Sequence, residues 1–202
     1  MIIKLYKDNT SEKDLKRICD ILRDGGVVIY PTDSVYAIGC AIGSAKGVEK
    51  LQKLSGKDAN ELSLIFDTIS MVAEYCKVEN SIFKLLKRNT PGAITFIMKS
   101  LSRIPDRVIA KRKTIGVRIP SNDIARAIVE MLGEPMLTTS LKSDAEGLDE
   151  EYLTDPELID EKWGSRVDCV IDGGFGSITP TAVVDLSEGE IDIIRQGDSK
   201  IE

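Results

Sequence analysis

The chain contains no histidine, and only four of its 202 residues are cysteine. Without imidazole there is no Ser-His-Asp or Cys-His nucleophile, no histidine base and no histidine-ligated metal. Cys19, Cys40, Cys76 and Cys169 are scattered without a C-x-x-C pair, so no zinc site or disulfide framework is expected. Cys19 and Cys169 sit in apolar patterns and read as small core residues. Any chemistry falls to carboxylates, lysine, arginine, hydroxyls, backbone groups, or a metal carried in with substrate. Aromatic residues make up 5% of the chain, which gives little support to a base-stacking platform. No apolar run approaches the ~20 residues of a membrane span, and Met1 to Lys7 lacks the apolar core and cleavage site of a signal peptide. A cytoplasmic protein with no membrane partner is expected. The usual nucleotide motifs are missing too. Ser55-Gly56-Lys57-Asp58 is not a P-loop, and Gly173-Gly174-Phe175-Gly176 does not match G-x-G-x-x-G.

The hydrophobic fraction of 42% is ordinary for a soluble globule. The length suits one domain over residues 1–202. Strand and helix patterns alternate. Strands are expected at 2–5, 27–30, 62–66, 94–98, 115–119, 136–139, 169–172, 182–186 and 191–194. Helices are expected at 11–24, 45–54, 68–76, 79–89, 122–132 and 155–162. Thr10 or Ser11 caps the first helix and Gly25-Gly26 stops it. The alternation predicts an α/β fold with a mixed sheet, and the close spacing of the last strands predicts antiparallel pairing there.

Charge is uneven. The chain carries −6 overall, yet residues 81–126 carry a net +9, and 144–161 hold nine acids and no base. Such a basic segment binds an anion locally or is a set of solvated faces. Arg118 differs, because Ile115, Val117 and Ile119 around it mark a core strand, and a buried arginine needs a partner. That partner is a ligand or a structural carboxylate.

Pro31-Thr32-Asp33-Ser34-Val35-Tyr36 follows the apolar run Val27 to Tyr30. Polar side chains at a strand's carboxyl end mark where ligands bind in open α/β sheets; the alternative is an Asx/ST turn that only connects two elements. Lys57, Thr114, Ser140, Thr181 and Arg195 also fall where strands meet turns. Hydroxyls and guanidinium groups from several strands suit an anionic or carboxylate-bearing ligand.

Five ordered motifs together resemble the YrdC-like family: Gly26 to Gly39, Thr90-Pro91-Gly92-Ala93-Ile94-Thr95-Phe96, Thr114-Ile115-Gly116-Val117-Arg118-Ile119-Pro120, Leu137-Thr138-Thr139-Ser140, and Ile194-Arg195-Gln196-Gly197. The resemblance implies a twisted open mixed sheet flanked by helices, YrdC/RibB-like, with a concave basic face. It implies chemistry on L-threonylcarbamoyl-adenylate, made from L-threonine, bicarbonate and ATP with Mg²⁺ as substrate, without a tightly bound cofactor or protein metal site. Thr32, Tyr36, Arg118, Ser140 and Thr181 would meet the L-threonine-like ligand. Lys57, Thr114, Lys142 and Arg195 would meet the nucleotide. Lys57 and Arg118 would be catalytic. Double-stranded RNA or tRNA is the associated partner, with Lys84, Lys87, Arg88, Lys111, Arg112 and Lys113 as its candidate contacts. Oligomeric state stays open.

The chain departs from the synthase pattern where a Lys-x-Arg motif is expected. It has Ser55-Gly56-Lys57, then Glu61 for an asparagine, and Ser140-Leu141-Lys142 for Ser-Ala-Asn. These departures resemble the YciO branch, with synthesis or breakdown of the adenylate as the implied activities. The alternative is an RNA-binding module with little or no catalysis.

Overall fold

The computed structural model describes residues 1–6, 10–58, 61–109, 113–142 and 150–201. In chain order the elements are β1 (Ile2–Lys4), α1 (Glu12–Arg23), β2 (Val28–Tyr30), β3 (Ala37–Ala41), α2 (Ala45–Ser55), β4 (Ser63–Ile65), α3 (Ile69–Tyr75), α4 (Asn80–Asn89), β5 (Ile94–Lys99), α5 (Asp106–Ile109), β6 (Thr114–Arg118), α6 (Asp123–Leu132), β7 (Met136–Ser140), α7 (Glu151–Thr154), α8 (Pro156–Trp163), β8 (Cys169–Asp172), β9 (Ala182–Asp185) and β10 (Asp192–Arg195). The strands form one mixed sheet in the order β1-β8-β2-β3-β7-β4-β6-β5-β9-β10. This is the α/β open sheet expected.

Side-chain caps start the helices that flank the sheet. Ser11 accepts from the Asp14 amide, Ser44 from Gly47, Thr68 from Met71 and Asn122 from Ala125, each satisfying an amide the first turn leaves free. Gly56 and Gly133 take left-handed backbones at the ends of α2 and α6, the conformation glycine adopts without penalty.

Period-two alternation divides the strands between two cores. Ile29, Ile38, Leu64, Phe96, Val117, Leu137, Val170 and Val184 pack on one face with Val48 and Leu51 of α2, Val72 of α3, Leu86 of α4 and Ile159 of α8. Val28, Tyr30, Ala37, Ile65, Met136 and Ile171 face the other way, against Leu15 and Ile18 of α1 and Ile124 and Ile128 of α6. α1 and α6 cover only part of that second face. Towards β6, β5 and β9 it stays open, and there its residues change from aliphatic to polar.

Two expectations are corrected. β3 does not stand out in the sequence because Ala37, Gly39 and Ala41 have low strand propensity. Its small residues serve close packing: a Cβ on Gly39 would stand 2.9 Å from the Leu137 carbonyl oxygen. The late strands do not pair among themselves as a group. Only β9 and β10 are antiparallel neighbours, while β8 lies parallel between β1 and β2 and β9 runs parallel to β5. The segment between β8 and β9 therefore crosses the molecule. α5 and α7, one turn each, were also not expected.

Candidate active site

The open part of the second face forms a cavity of about 490 Å³. Its floor follows strand alternation. Thr114, Gly116 and Arg118 of β6 line it, with Thr95 and Ile97 of β5, Ser63 of β4, Thr138 and Ser140 of β7, and Val183 of β9. Lys57, Glu61, Lys142, Thr181 and Arg195 complete the walls. Seven residues expected at a ligand thus converge on one cavity: Lys57, Thr114, Arg118, Ser140, Lys142, Thr181 and Arg195.

Registration of the sheet brings them together. Ser63 is in register with both Gly116 and Thr138, and Ala37 with Ser140. Val183 is in register with Thr95 and Arg195. The absent side chain at Gly116 keeps the floor low. A Cβ there would run into Ser63 Oγ and stand 3.1 Å from Ser63 Cβ and 3.3 Å from Thr95 Cγ2. Gly116→Ala is expected to lower stability by about 1–3 kcal/mol, as overpacking does, and to weaken nucleotide binding. A denaturant melt and a calorimetric titration measure the two effects.

Arg118 is 5% exposed. Its Nη2 donates to Ser34 Oγ at 2.9 Å and Thr32 Oγ1 at 3.4 Å, and forms an ion pair with Asp33. The other Asp33 oxygen, Oδ2, accepts from the Ser121 amide at 2.7 Å. Arg118 therefore has a structural carboxylate as partner and also lines the cavity. Its Nε is buried without a hydrogen-bond partner.

Lys57 follows the α2 cap, and its ammonium donates to Thr139 Oγ1 at 2.6 Å. Burial pushes its pKa down, and the charges of Lys142 and Arg195 push it further against the opposing pull of Glu61. Arg195 donates from Nε to the Thr181 carbonyl at 2.9 Å and from Nη2 to Thr181 Oγ1 at 3.2 Å. Thr181 Oγ1 in turn lies 3.1 Å from Thr95 Oγ1.

Thr32 and Tyr36 lie off the cavity lining. Thr32 Oγ1 is spent on its own turn, donating to the Val35 carbonyl at 2.8 Å and accepting from the Ser34 amide at 3.0 Å, which is the ST turn that the sequence offered as one reading of this segment. Tyr36 packs in the opposite core, since it alternates with Ala37. Its hydroxyl donates to the Gly174 carbonyl at 2.7 Å and accepts from the Gly173 amide at 3.2 Å. Burial raises its pKa to about 12, which keeps it a neutral donor. Ser63, Thr95 and Thr138 were not singled out in the sequence. Their signal was there in the period-two polar positions of otherwise apolar strands.

Among the described residues, several cations of the basic window have local partners. Arg103 pairs with Glu74 and Arg126 with Asp123. Arg107 donates to the Gly43 carbonyl at 2.8 Å, and Arg118 is turned into the cavity. Lys84, Lys87 and Arg88 are exposed on α4, off the cavity lining, and Lys113 is exposed beside Thr114. Lys111 and Arg112 lie outside the described residues. No helix among the described residues is long and apolar enough to cross a membrane.

Comparisons with known proteins address the family and the fold. The Sua5/YciO/YrdC family model, described as "Telomere recombination", matches residues 20–197. The chain is 40% identical over 195 residues to the uncharacterized protein YciO of Escherichia coli (strain K12), covering 96% of this chain and 93% of that one. It is 28% identical over 173 residues to the threonylcarbamoyl-AMP synthase of Thiobacillus denitrificans, covering 84% and 89%. The crystal structure of E. coli YciO superposes with a TM-score of 0.89 at 38% identity, over 100% of this chain and 98% of that one. P. abyssi Sua5, solved in complex with L-threonine, shares the fold with a TM-score of 0.86 at 23% identity, over 98% of this chain and 57% of that one. With 178 consecutive positions matched to the family model and the fold shared along the whole chain, the protein belongs to the Sua5/YciO/YrdC family.

Proposed function

We propose that the cavity binds L-threonylcarbamoyl-AMP, or the L-threonine and ATP it is made from, and that the protein makes or breaks its carbamoyl–phosphate anhydride. The observation that carries this reading is the two-ended charge layout. At one end the pKa of Lys57 is lowered by burial first and then by the charges of Lys142 and Arg195. Like charges gathered this way call for an anion, and a nucleotide phosphate fits. At the other end Arg118 is buried and lines the cavity, and a guanidinium suits a carboxylate. The relatives named as threonylcarbamoyl-AMP synthases and the L-threonine bound by P. abyssi Sua5 support the assignment.

In the forward direction a carbamate oxygen of N-carboxy-L-threonine attacks the α-phosphorus of ATP. The bond to the bridging oxygen of the β-phosphate breaks, and pyrophosphate leaves with its electron pair. In breakdown, water adds to the anhydride and AMP and the carbamate separate. No covalent enzyme intermediate is needed. Arg118 orients the amino acid, while Lys57, Lys142 and Arg195 hold the phosphates and offset the charge that builds as pyrophosphate or AMP departs. ATP brings its own Mg²⁺.

The test is turnover of the purified protein with Mg²⁺–ATP, bicarbonate and L-threonine, beside the same protein given preformed L-threonylcarbamoyl-AMP. L-Threonine-dependent pyrophosphate release supports synthesis, and AMP formed from the intermediate alone supports breakdown. Neither reaction exceeding an Arg118→Gln control overturns the proposal. In that case the exposed Lys84, Lys87 and Arg88 of α4 become the place to look, and duplex RNA binding that weakens steeply with salt is the expected sign.

A further inference from the structure

We propose that Asp33 is the specificity-determining residue of the cavity: it cancels the charge of Arg118 so that this end takes a carboxylate and rejects phosphate. The inference rests on the function proposed above and adds which residue makes the Arg118 end selective.

The cavity has two cationic ends that differ in their companions. The Lys57 end holds Lys57, Lys142 and Arg195 against Glu61. The Arg118 end has its own fixed counter-ion. Asp33 pairs with Arg118 Nη2, and their side chains are 12% and 6% exposed, respectively. Asp33 is itself held by the Ser121 amide at 2.7 Å, so it is not free to swing away from the guanidinium. Ser34 Oγ at 2.9 Å completes the grip on Nη2. Nη2 of the guanidinium is therefore committed to the protein, while Arg118 still lines the cavity.

A charge-neutral pair whose arginine lines the cavity suits a ligand carrying no more than one negative charge. A phosphate dianion brings twice that charge into a site whose cation is already matched, with the Asp33 carboxylate close behind it. Desolvating an unmatched charge is costly. The Lys57 end has the opposite balance and accepts phosphate. Asp33 would thus fix the direction in which an aminoacyl-nucleotide lies, with the carboxylate at Arg118 and the phosphate at Lys57. Removing the Asp33 charge should turn the Arg118 end into a second phosphate site.

The experiment is isothermal titration of wild type and Asp33→Asn with inorganic phosphate and with L-threonine, with circular dichroism to establish folding. In wild type, phosphate should leave L-threonine affinity unchanged. In Asp33→Asn, one more phosphate should bind per chain, and phosphate should displace L-threonine, lowering its apparent affinity about tenfold, equivalent to about 1.4 kcal/mol. The double variant Asp33→Asn/Arg118→Gln carries no unmatched buried charge and keeps the test available if the single variant unfolds. It should lack the additional phosphate site.

An Asp33→Asn protein that binds L-threonine as wild type does, with no added phosphate site, overturns the inference and leaves the proposed function standing. Extra phosphate in the double variant also overturns it, because the new site would not then depend on Arg118. A wild type that binds no L-threonine, with a phosphate site gained in Asp33→Asn and lost in the double variant, supports the role of Asp33 and overturns the choice of amino acid.

Discussion

Arg118→Gln is expected to lower the melting temperature by roughly 6–20 °C and to abolish L-threonine binding. The stability loss comes from Asp33. Removing the guanidinium leaves a carboxylate 12% exposed without its cation, and breaking a buried pair from one side costs about 3–5 kcal/mol. In a chain of this length each kcal/mol moves the melting point by about 2–4 °C. The Ser121 amide still donates to Asp33, which places the expected value towards the lower end of the range. The double variant Asp33→Asn/Arg118→Gln separates the two effects. It should recover most of the stability, since no charge is left unmatched, and none of the L-threonine binding, since the donor is gone. Thermal denaturation followed by circular dichroism measures the first effect and calorimetry the second. A single variant melting within about 2 °C of wild type would show that the pair adds little to the fold.

This same pair marks the limit of what the sequence discloses. An arginine in the strand Ile115 to Ile119 announces a buried cation that needs a partner, and sequence alone does not choose between ligand and carboxylate. The choice depends on β2 and β6 lying within one sheet with the segment 32–34 folded over Arg118, a contact between residues 84–86 positions apart. The strands of the cavity floor were legible because β5 and β6 alternate cleanly: Phe96 and Met98 against Thr95 and Ile97, Ile115 and Val117 against Thr114, Gly116 and Arg118. α1, α2 and α6 were legible through their caps and apolar stripes. β3 was hidden because small residues fill it for close packing, not for propensity. Tyr36 was assigned to the ligand from its place in a polar motif. Alternation separates it from the cavity, because Tyr36 and Ala37 point to opposite faces and Ala37 lines the cavity. The positions of β8 and β9 depend on long-range pairing that local spacing does not report.

Lys57 has the second large expected effect, and it has opposite signs in the free and bound protein. Its pKa in the fold is depressed, first by burial and then by Lys142 and Arg195. The unfolded chain therefore holds this proton more tightly, and stability rises with pH from the depressed value up to the ordinary 10.5. At neutral pH, below that window, the full cost of keeping Lys57 charged is present. Replacing it by methionine removes the cost, so Lys57→Met should melt at or above the wild-type temperature at pH 7 and lose the pH-dependent gain in alkaline solution. Nucleotide binding should move the other way. A phosphate beside Lys57 supplies the missing counter-charge, and a charge-assisted hydrogen bond contributes about 1.5–3 kcal/mol, so ATP affinity should fall roughly 10- to 150-fold in the variant. In wild type, ATP affinity should weaken in alkaline solution at a lower pH than an ordinary lysine would give, and the variant should not show that titration. Calorimetric titration of ATP at pH 7 and pH 10, with melts at both, tests these signs together. ATP affinity within twofold of wild type would remove Lys57 from the phosphate end. A stability gain in the free variant with a loss of ATP binding would identify a lysine held in place against the fold's preference for the anion it receives.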